Sequence, residues 1–339
     1  MKAFNIIETG KGLDSWSRVD LPDPTPGPGQ VSIRVKAVSL NTRDLMVMGG
    51  YFPIPPKQNA IPVSDGAGEI VAVGAGVTRW NVGDRVFGSY YQQWPHGQFP
   101  ADAELHALGG PLDGMLAELV TLSESGVVRV PDHLSYEEAS TLPVAALTAW
   151  NAVMESGGRM TPGATVLTLG TGGVSLFAIQ LAQASGFRVI ATTSSQAKAE
   201  RLRALGVSDV VNYKHTPNWE QEVLRLTNGQ GVDQVIEVGG TGTLPKSLRS
   251  VRSGGLVNLI GLLTGFNDPI DTSPILFNKI RLQGSGVGSV QTAEVMARTI
   301  NAIKLKPVVS DVFDFENAKH ALAKLQDAAT FGKVIIRIN

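Results

Sequence analysis

Six residues near the middle of the chain carry the clearest chemistry: Gly170-Thr171-Gly172-Gly173-Val174-Ser175. They lie between a run that reads as a strand, Thr165–Leu169, and one that reads as a helix, Val174–Ala184. In the latter, Val174, Phe177, Ala178, Leu181 and Ala182 follow helical spacing. In such a strand–turn–helix the first glycine makes the tight turn and the second lets the backbone approach a pyrophosphate. The free N–H groups of the helix N-terminus then meet the phosphate charge. The third position, which packs helix on strand, holds Ser175 instead of glycine. The pattern predicts a dinucleotide-binding turn, with Gly170, Thr171, Gly172, Gly173 and Val174 against the ligand. A site for NAD would place an acidic residue about 20 positions beyond the first glycine, to accept the ribose 2′-OH. Here that region reads Ala191-Thr192-Thr193-Ser194-Ser195, then Lys198, with Arg201 one turn on. The hydroxyls of Thr193, Ser194 and Ser195, the Lys198 ammonium and the phenol of Tyr213 suit a 2′-phosphate, so NADPH is the expected cofactor. The plainer reading is that Ser194-Ser195 cap the helix that contains Lys198.

The elements that position this turn alternate. Apolar runs at Thr165–Leu169, Arg188–Thr192, Asp209–Val211, Gln234–Val238 and Leu256–Ile260 are separated by helical stretches such as Gln196–Leu205. Near-continuous apolar strands between helices predict a parallel sheet covered on both faces, a doubly wound α/β fold. Val238-Gly239-Gly240, Gly261-Leu262 and Ser285-Gly286 fall at the C-terminal ends of strands, where such sheets bind ligands. Before residue 130 the chain reads as β-rich, with Gly and Pro punctuating short apolar runs and Val31–Val38 alternating. Ser135-Tyr136-Glu137-Glu138 fits a capping box opening a helix that Pro143 should interrupt. The loop from Ser89 to Pro111 carries Tyr90, Tyr91, Trp94 and Phe99, as a substrate mouth or a subunit contact.

Composition removes other classes. At 339 residues the chain has room for two or three domains of roughly 100–200 residues each. With 29 Lys and Arg against 30 Asp and Glu, no footprint for nucleic acid or an acidic membrane is expected. The absence of cysteine excludes disulfides, thiolate metal sites and a cysteine nucleophile. The uncharged stretch Met160–Phe187 is long enough to span a bilayer, but its glycine turn and its Gln180 and Gln183 predict buried α/β structure instead. No targeting segment is visible at MKAFNIIETG, and a cytoplasmic protein is expected.

With these residues placed, the chain resembles a medium-chain dehydrogenase/reductase over essentially its whole length, and most resembles the zinc-free quinone oxidoreductase and enone reductase branch. The motifs are Pro28-Gly29-Gln30-Val31, Asn41-Thr42-Arg43-Asp44, Ser64-Asp65-Gly66-Ala67-Gly68, Gly83-Asp84-Arg85-Val86, the glycine turn, and Phe331-Gly332-Lys333-Val334. The resemblance implies a Rossmann cofactor domain at 131–287 and a β-rich, GroES-like catalytic domain built from 1–130 and 288–339, with a cleft between them. It also implies that Thr148 flanks the nicotinamide, that Phe331 and Lys333 contribute to cofactor binding, and that the protein forms a homodimer. Zinc alcohol dehydrogenases of the superfamily bind their metal through Cys, His or Glu, and Cys. Asn41, Ser64 and Val144 stand at those three positions, and none is a zinc ligand. The five histidines form no ligand-spaced cluster, so no metal is expected.

Without a metal, reduction of an ordinary carbonyl leaves an alkoxide with nothing to stabilise it. Hydride addition to a quinone or an α,β-unsaturated carbonyl spreads the charge into a phenolate or enolate and needs only donors for one oxygen and little water. Asn41 is the candidate for holding the nicotinamide ribose or that oxygen, and it also reads as a helix N-cap paired with Asp44. Related enoyl-thioester reductases carry a proton-donating tyrosine where this chain has Phe52, with Tyr51 beside it, so Tyr51 is the candidate acid. The sequence thus predicts an NADPH-dependent quinone or enone reductase acting on a small molecule. An enoyl-thioester reductase and a non-catalytic NADPH-binding protein are the alternatives.

Overall fold

The computed structural model describes residues 1–156, 160–327 and 329–339. The chain packs as two units, Met1–Leu147 with Val287–Asn339, and Thr148–Gly286. The first opens with the antiparallel pair β1 (Lys2–Ile6) and β2 (Trp16–Asp20). It continues through β3 (Gln30–Ser39), α1 (Thr42–Gly49), β4 (Asp65–Val73), β5 (Arg85–Gly88), β6 (Leu119–Ser123), β7 (Val127–Arg129) and α2 (Tyr136–Ala139). The second unit then runs α3 (Leu147–Trp150), β8 (Thr165–Leu169), α4 (Gly173–Ala184), β9 (Arg188–Thr193), α5 (Gln196–Ala204) and β10 (Asp209–Asn212). It ends with α6 (Trp219–Leu226), β11 (Val232–Glu237), α7 (Leu244–Ser250), β12 (Val251–Leu259), α8 (Ser273–Phe277) and β13 (Arg281–Gly284). The chain returns to the first unit with α9 (Val290–Ile303), β14 (Val309–Asp314), α10 (Ala318–Gln326) and β15 (Lys333–Arg337).

In the second unit six parallel strands lie in the order β10-β9-β8-β11-β12-β13. This is the doubly wound order, with its reversal between β8 and β11. The uncharged stretch Met160–Phe187 resolves into β8, the glycine turn and α4. No helix among the described residues is long and apolar enough to cross a membrane. The helix α4 buries Leu176, Phe177, Ala178, Ile179, Leu181 and Ala182, as its spacing required. β12 starts at Val251, earlier than the apolar run from Leu256 suggests, because a bulge lets its first residues pair with β11.

The first unit is built on β3, which pairs with β4, β6 and β15 in a sheet ordered β14-β15-β3-β4-β5-β7. Pairing β3 with β15 joins the two ends of the chain. The alternation read in Val31–Val38 is broken by bulges at Ser32/Ile33 and Val35/Ala37, so residues from both faces of β3 enter the core. Ser135 does open a capping box, with its Oγ accepting the Glu138 N–H and Glu138 Oε2 accepting the Ser135 N–H. Past α2 the chain continues in wide π-type turns, Leu142–Ala146 and Asn151–Ser156, so Pro143 redirects the helix without ending it. The segment from 131 to 147 packs with the first unit, not the second as expected, because α2 lies on β3, β4 and β15.

The aromatic loop also differs from an open mouth. Tyr90, Tyr91 and Trp94 are buried, and only Phe99 is exposed. Their rings stack edge to face at 4.5–5.9 Å between centroids, and the Tyr91 hydroxyl donates to Glu104. Burying these rings gains more than displaying them, and the backbone N–H groups of Val290 and Gln291 hold the loop through the Trp94 and Pro95 carbonyls.

Gly68, where β4 crosses β3, is required by close approach: a Cβ there would lie 2.1 Å from the Arg34 carbonyl oxygen. Gly68→Ala should therefore lower stability by about 1–3 kcal/mol, measured by denaturant unfolding. An unchanged midpoint would mean that the two strands can separate at no cost.

Candidate functional site

The glycine turn of the second unit is an open cradle. Gly170 follows β8 with a φ of +74°, which favours glycine, and Gly172 forms the N-cap of α4. A Cβ on either would meet no atom within 4 Å, so the space beside the α4 N-terminus is not filled by protein. Ser175, at the third fingerprint position, is buried, and its Oγ donates to the Leu169 carbonyl at 2.7 Å. The hydroxyl that a glycine would lack is thereby satisfied, and the departure from the fingerprint costs the turn nothing visible. At the end of β9 the Thr193 Oγ1 is buried without a hydrogen-bond partner, an orphan polar atom. Ser195 caps α5, its Oγ accepting the Lys198 N–H at 3.3 Å, while Ser194 and Lys198 are half-buried. The Tyr213 N–H donates to the Thr193 carbonyl, which sets that phenol, 39% exposed, beside the end of β9. These residues fit a nicotinamide dinucleotide, with α4 at the pyrophosphate.

The other strand-end residues divide. A Cβ on Gly239 would strike Thr243, and on Gly261 it would lie 2.4 Å from the Val238 carbonyl, so packing alone demands glycine at both. Gly286 is open, and its carbonyl accepts from Asn151 Nδ2 at 3.1 Å. Ser285 Oγ accepts from Asn258 Nδ2 at 2.7 Å, closing a buried chain that runs back to Gln234. Val238 is half-buried, Leu262 exposed, and Thr148 buried in α3. One residue escaped the sequence reading. Glu237 ends β11 fully buried and accepts the N–H groups of Gly239 and Gly240 at 2.7 and 3.1 Å, the Thr243 hydroxyl at 2.6 Å, and the Ser247 hydroxyl. It shapes the turn at the sheet's switch point, and its only signal was a carboxylate closing an otherwise apolar strand before Gly-Gly.

The first unit holds a buried polar cluster around Asn41, the N-cap of α1. Asp44 Oδ2 accepts the Asn41 backbone N–H at 2.7 Å. Lys333, at the start of β15, reaches in so that its Nζ donates to Leu40 O and to Asn41 Oδ1, both at 2.5 Å. Arg43 pairs with Asp44 at 3.1 Å, between the rings of Phe52 and Tyr90. Asp65, the first residue of β4, accepts the Ser64 hydroxyl at 2.8 Å and the Val144 N–H at 3.1 Å. The structure thus brings Asn41 and Lys333 together, along with Ser64 and Val144. Tyr51 stands apart, 77% exposed with its ring over Gly49, and Phe331 is buried. An amide, a hydroxyl and a valine do not fit a zinc ion, and no group of three or more His, Cys, Asp or Glu among the described residues could hold a metal.

Burial is the largest influence on these charges. It raises Asp44 against the pull of Arg43, lowers Lys333, and pushes Asp65 from 3.8 up to about 6, opposed by Lys333 and by the Ser64 hydrogen bond. Between 3.8 and about 6 the folded chain therefore keeps a proton that the unfolded chain has released. The stability this group contributes is full below that window and is lost as pH rises through it. Asp65→Asn should flatten the pH dependence of the unfolding midpoint across the window. A slope equal to that of the unaltered protein would assign it to other groups.

Both units have counterparts. The alcohol dehydrogenase GroES-like domain matches residues 27–132, and the zinc-binding dehydrogenase family matches residues 173–302. A zinc-type alcohol dehydrogenase-like protein of Schizosaccharomyces pombe is 41% identical over 318 residues, covering 92% of each chain. The quinone oxidoreductase of Pseudomonas aeruginosa is 34% identical over 253 residues, 73% of this chain and 71% of its own. The crystal structure of an NAD-dependent alcohol dehydrogenase superposes with a TM-score of 0.92 at 32% identity, covering 100% of both chains. Likeness of this extent, in sequence and in both units of the fold, makes the chain a member of the medium-chain dehydrogenase/reductase superfamily, oxidoreductases whose Rossmann-type unit binds a nicotinamide cofactor.

Proposed function

We propose that this chain is an NADPH-dependent reductase of conjugated carbonyls, quinones or α,β-unsaturated ketones and aldehydes, working without a metal. The observation that carries the reading is the fate of the three zinc positions: Asn41 is held by Lys333, and Ser64 and Val144 are both tied to Asp65. Hydrogen-bond donors with no metal among them suit an acceptor whose developing charge delocalises, as in an enolate or phenolate. Bound NADPH supplies the hydride. The first-turn N–H groups of α4 hold the pyrophosphate, and Thr193, Ser194, Ser195, Lys198 and Tyr213 take the 2′-phosphate, with no carboxylate in 191–195 to repel it. Asn41 offers its Nδ2 to the acceptor oxygen. The exposed Tyr51 hydroxyl is the side-chain source of the proton, with water as the other source. The quinone oxidoreductase among the relatives supports this substrate class.

NADPH oxidation against quinones, enones and saturated aldehydes, with NADH and chelator controls, tests the reading. The expected result is turnover of conjugated acceptors with NADPH, indifferent to chelator. Lys198→Ala should raise the KM for NADPH roughly tenfold, the loss of one charge-assisted bond, and leave NADH unaffected. Tyr51→Phe lowers kcat only if its hydroxyl is the acid. Preference for NADH and saturated aldehydes, abolished by chelator, would overturn the proposal.

A homodimer is part of the same reading. The edge strand β13 is exposed along its whole length, beside the exposed Leu276 and Phe277 of α8. An unpaired edge flanked by apolar side chains is a template for a second copy. Light scattering should report a dimer that Leu282→Lys, placing a charge on that edge, converts to monomer; a monomeric parent protein would reject it.

A further inference from the structure

The zinc-binding name of the matching family and the donor set of this chain disagree, and the place of disagreement is occupied by a lysine. Lys333 comes from the far end of the sequence, and its Nζ donates at 2.5 Å to both Leu40 O and Asn41 Oδ1. An ammonium group only donates, so the Asn41 amide must turn its oxygen to it. Nδ2 is thereby directed to the other side. There one of its two hydrogens goes to Ser39 O at 3.5 Å, the limit of hydrogen-bonding reach, which leaves the other for a ligand. Ser64 and Asp65 have no exposed surface, whereas Asn41 is 8% exposed. Of the two carboxylates, Asp44 is paired with Arg43 at 3.1 Å, and the Lys333 ammonium acts on Asp65 and Asp44 together.

We infer that Lys333 is the built-in cation of this site: its ammonium supplies from the chain itself the positive charge that zinc-bearing relatives place among the same three positions, and it positions Asn41 with Nδ2 turned toward the acceptor oxygen. A cation on the amide oxygen draws electron density from nitrogen, so Nδ2–H becomes a stronger donor through the hydrogen-bond chain. Lys333 acts through Asn41 and is a positioning residue. The role toward the acceptor rests on the proposed reductase activity; the role as counter-charge does not.

The full chain is compared as unaltered protein, Lys333→Met, and Lys333→Met with Asp65→Asn. Lys333→Met strands a buried carboxylate, so adding Asp65→Asn should raise its unfolding midpoint, or restore folding if the single variant does not fold. A double variant no more stable than Lys333→Met overturns the inference, as does one tightly held zinc per chain after equilibration with zinc chloride. In the folded double variant, kcat with a conjugated acceptor should fall on the order of 10²-fold while NADPH affinity, read by fluorescence titration, stays within about twofold. Unchanged kcat overturns the positioning of Asn41. An unaltered protein that turns over no acceptor overturns the proposed function instead, and the midpoints still decide the counter-charge.

Discussion

Two carboxylates and two cations share the interior of the first unit, and taking each out of water costs several kcal/mol unless opposite charge and hydrogen bonds meet it. Asp44 and Arg43 answer one another within α1, but Asp65 and Lys333 open different strands, β4 and β15, which flank β3. Their attraction therefore holds the beginning and the end of the chain to the same central strand. Asp65 also fixes Val144 and Ser64, and Lys333 fixes Leu40 and Asn41, so the site exists only when the sheet is complete. The cost of burial sets the register of the strands as much as their apolar faces do.

The second unit uses one carboxylate to a different end. Glu237 gathers two backbone N–H groups and two hydroxyls, and this rigid turn borders the switch point of the sheet. Across that point the space beside Gly170 and Gly172 stays open, and the Thr193 hydroxyl has no partner. Neighbouring glycines thus serve opposite purposes. At Gly239 and Gly261 backbone or side chain fills the space a Cβ would need, and at Gly170 and Gly172 the space stays open. A satisfied support beside an unsatisfied cradle is the arrangement expected of a preformed ligand site.

The parallel strands, α4, the glycine turn and the Ser135 capping box were legible from the sequence because each depends on residues close together in the chain. Periodicity reports which face is apolar, and Gly, Ser and Glu at set offsets report turns and caps. Local pattern could not show that the chain after Ser135 packs on β3, β4 and β15, or that three rings of the aromatic loop turn inward. Asn41 was read correctly as a helix cap, yet its side chain is oriented by a lysine 292 positions away.

Composition and motif by themselves determined the fold class, the dinucleotide turn, the lack of a carboxylate after β9 and the absence of any cysteine. Each of these is a matter of which residue stands at a position. Tertiary structure alone decided that Lys333 reaches Asn41, that Asp65 binds Ser64 and Val144, and that Glu237 builds the turn beside the switch point. Those are pairings between buried polar groups, and a polar residue shows whether it is buried and what satisfies it only after strands distant in sequence have come together.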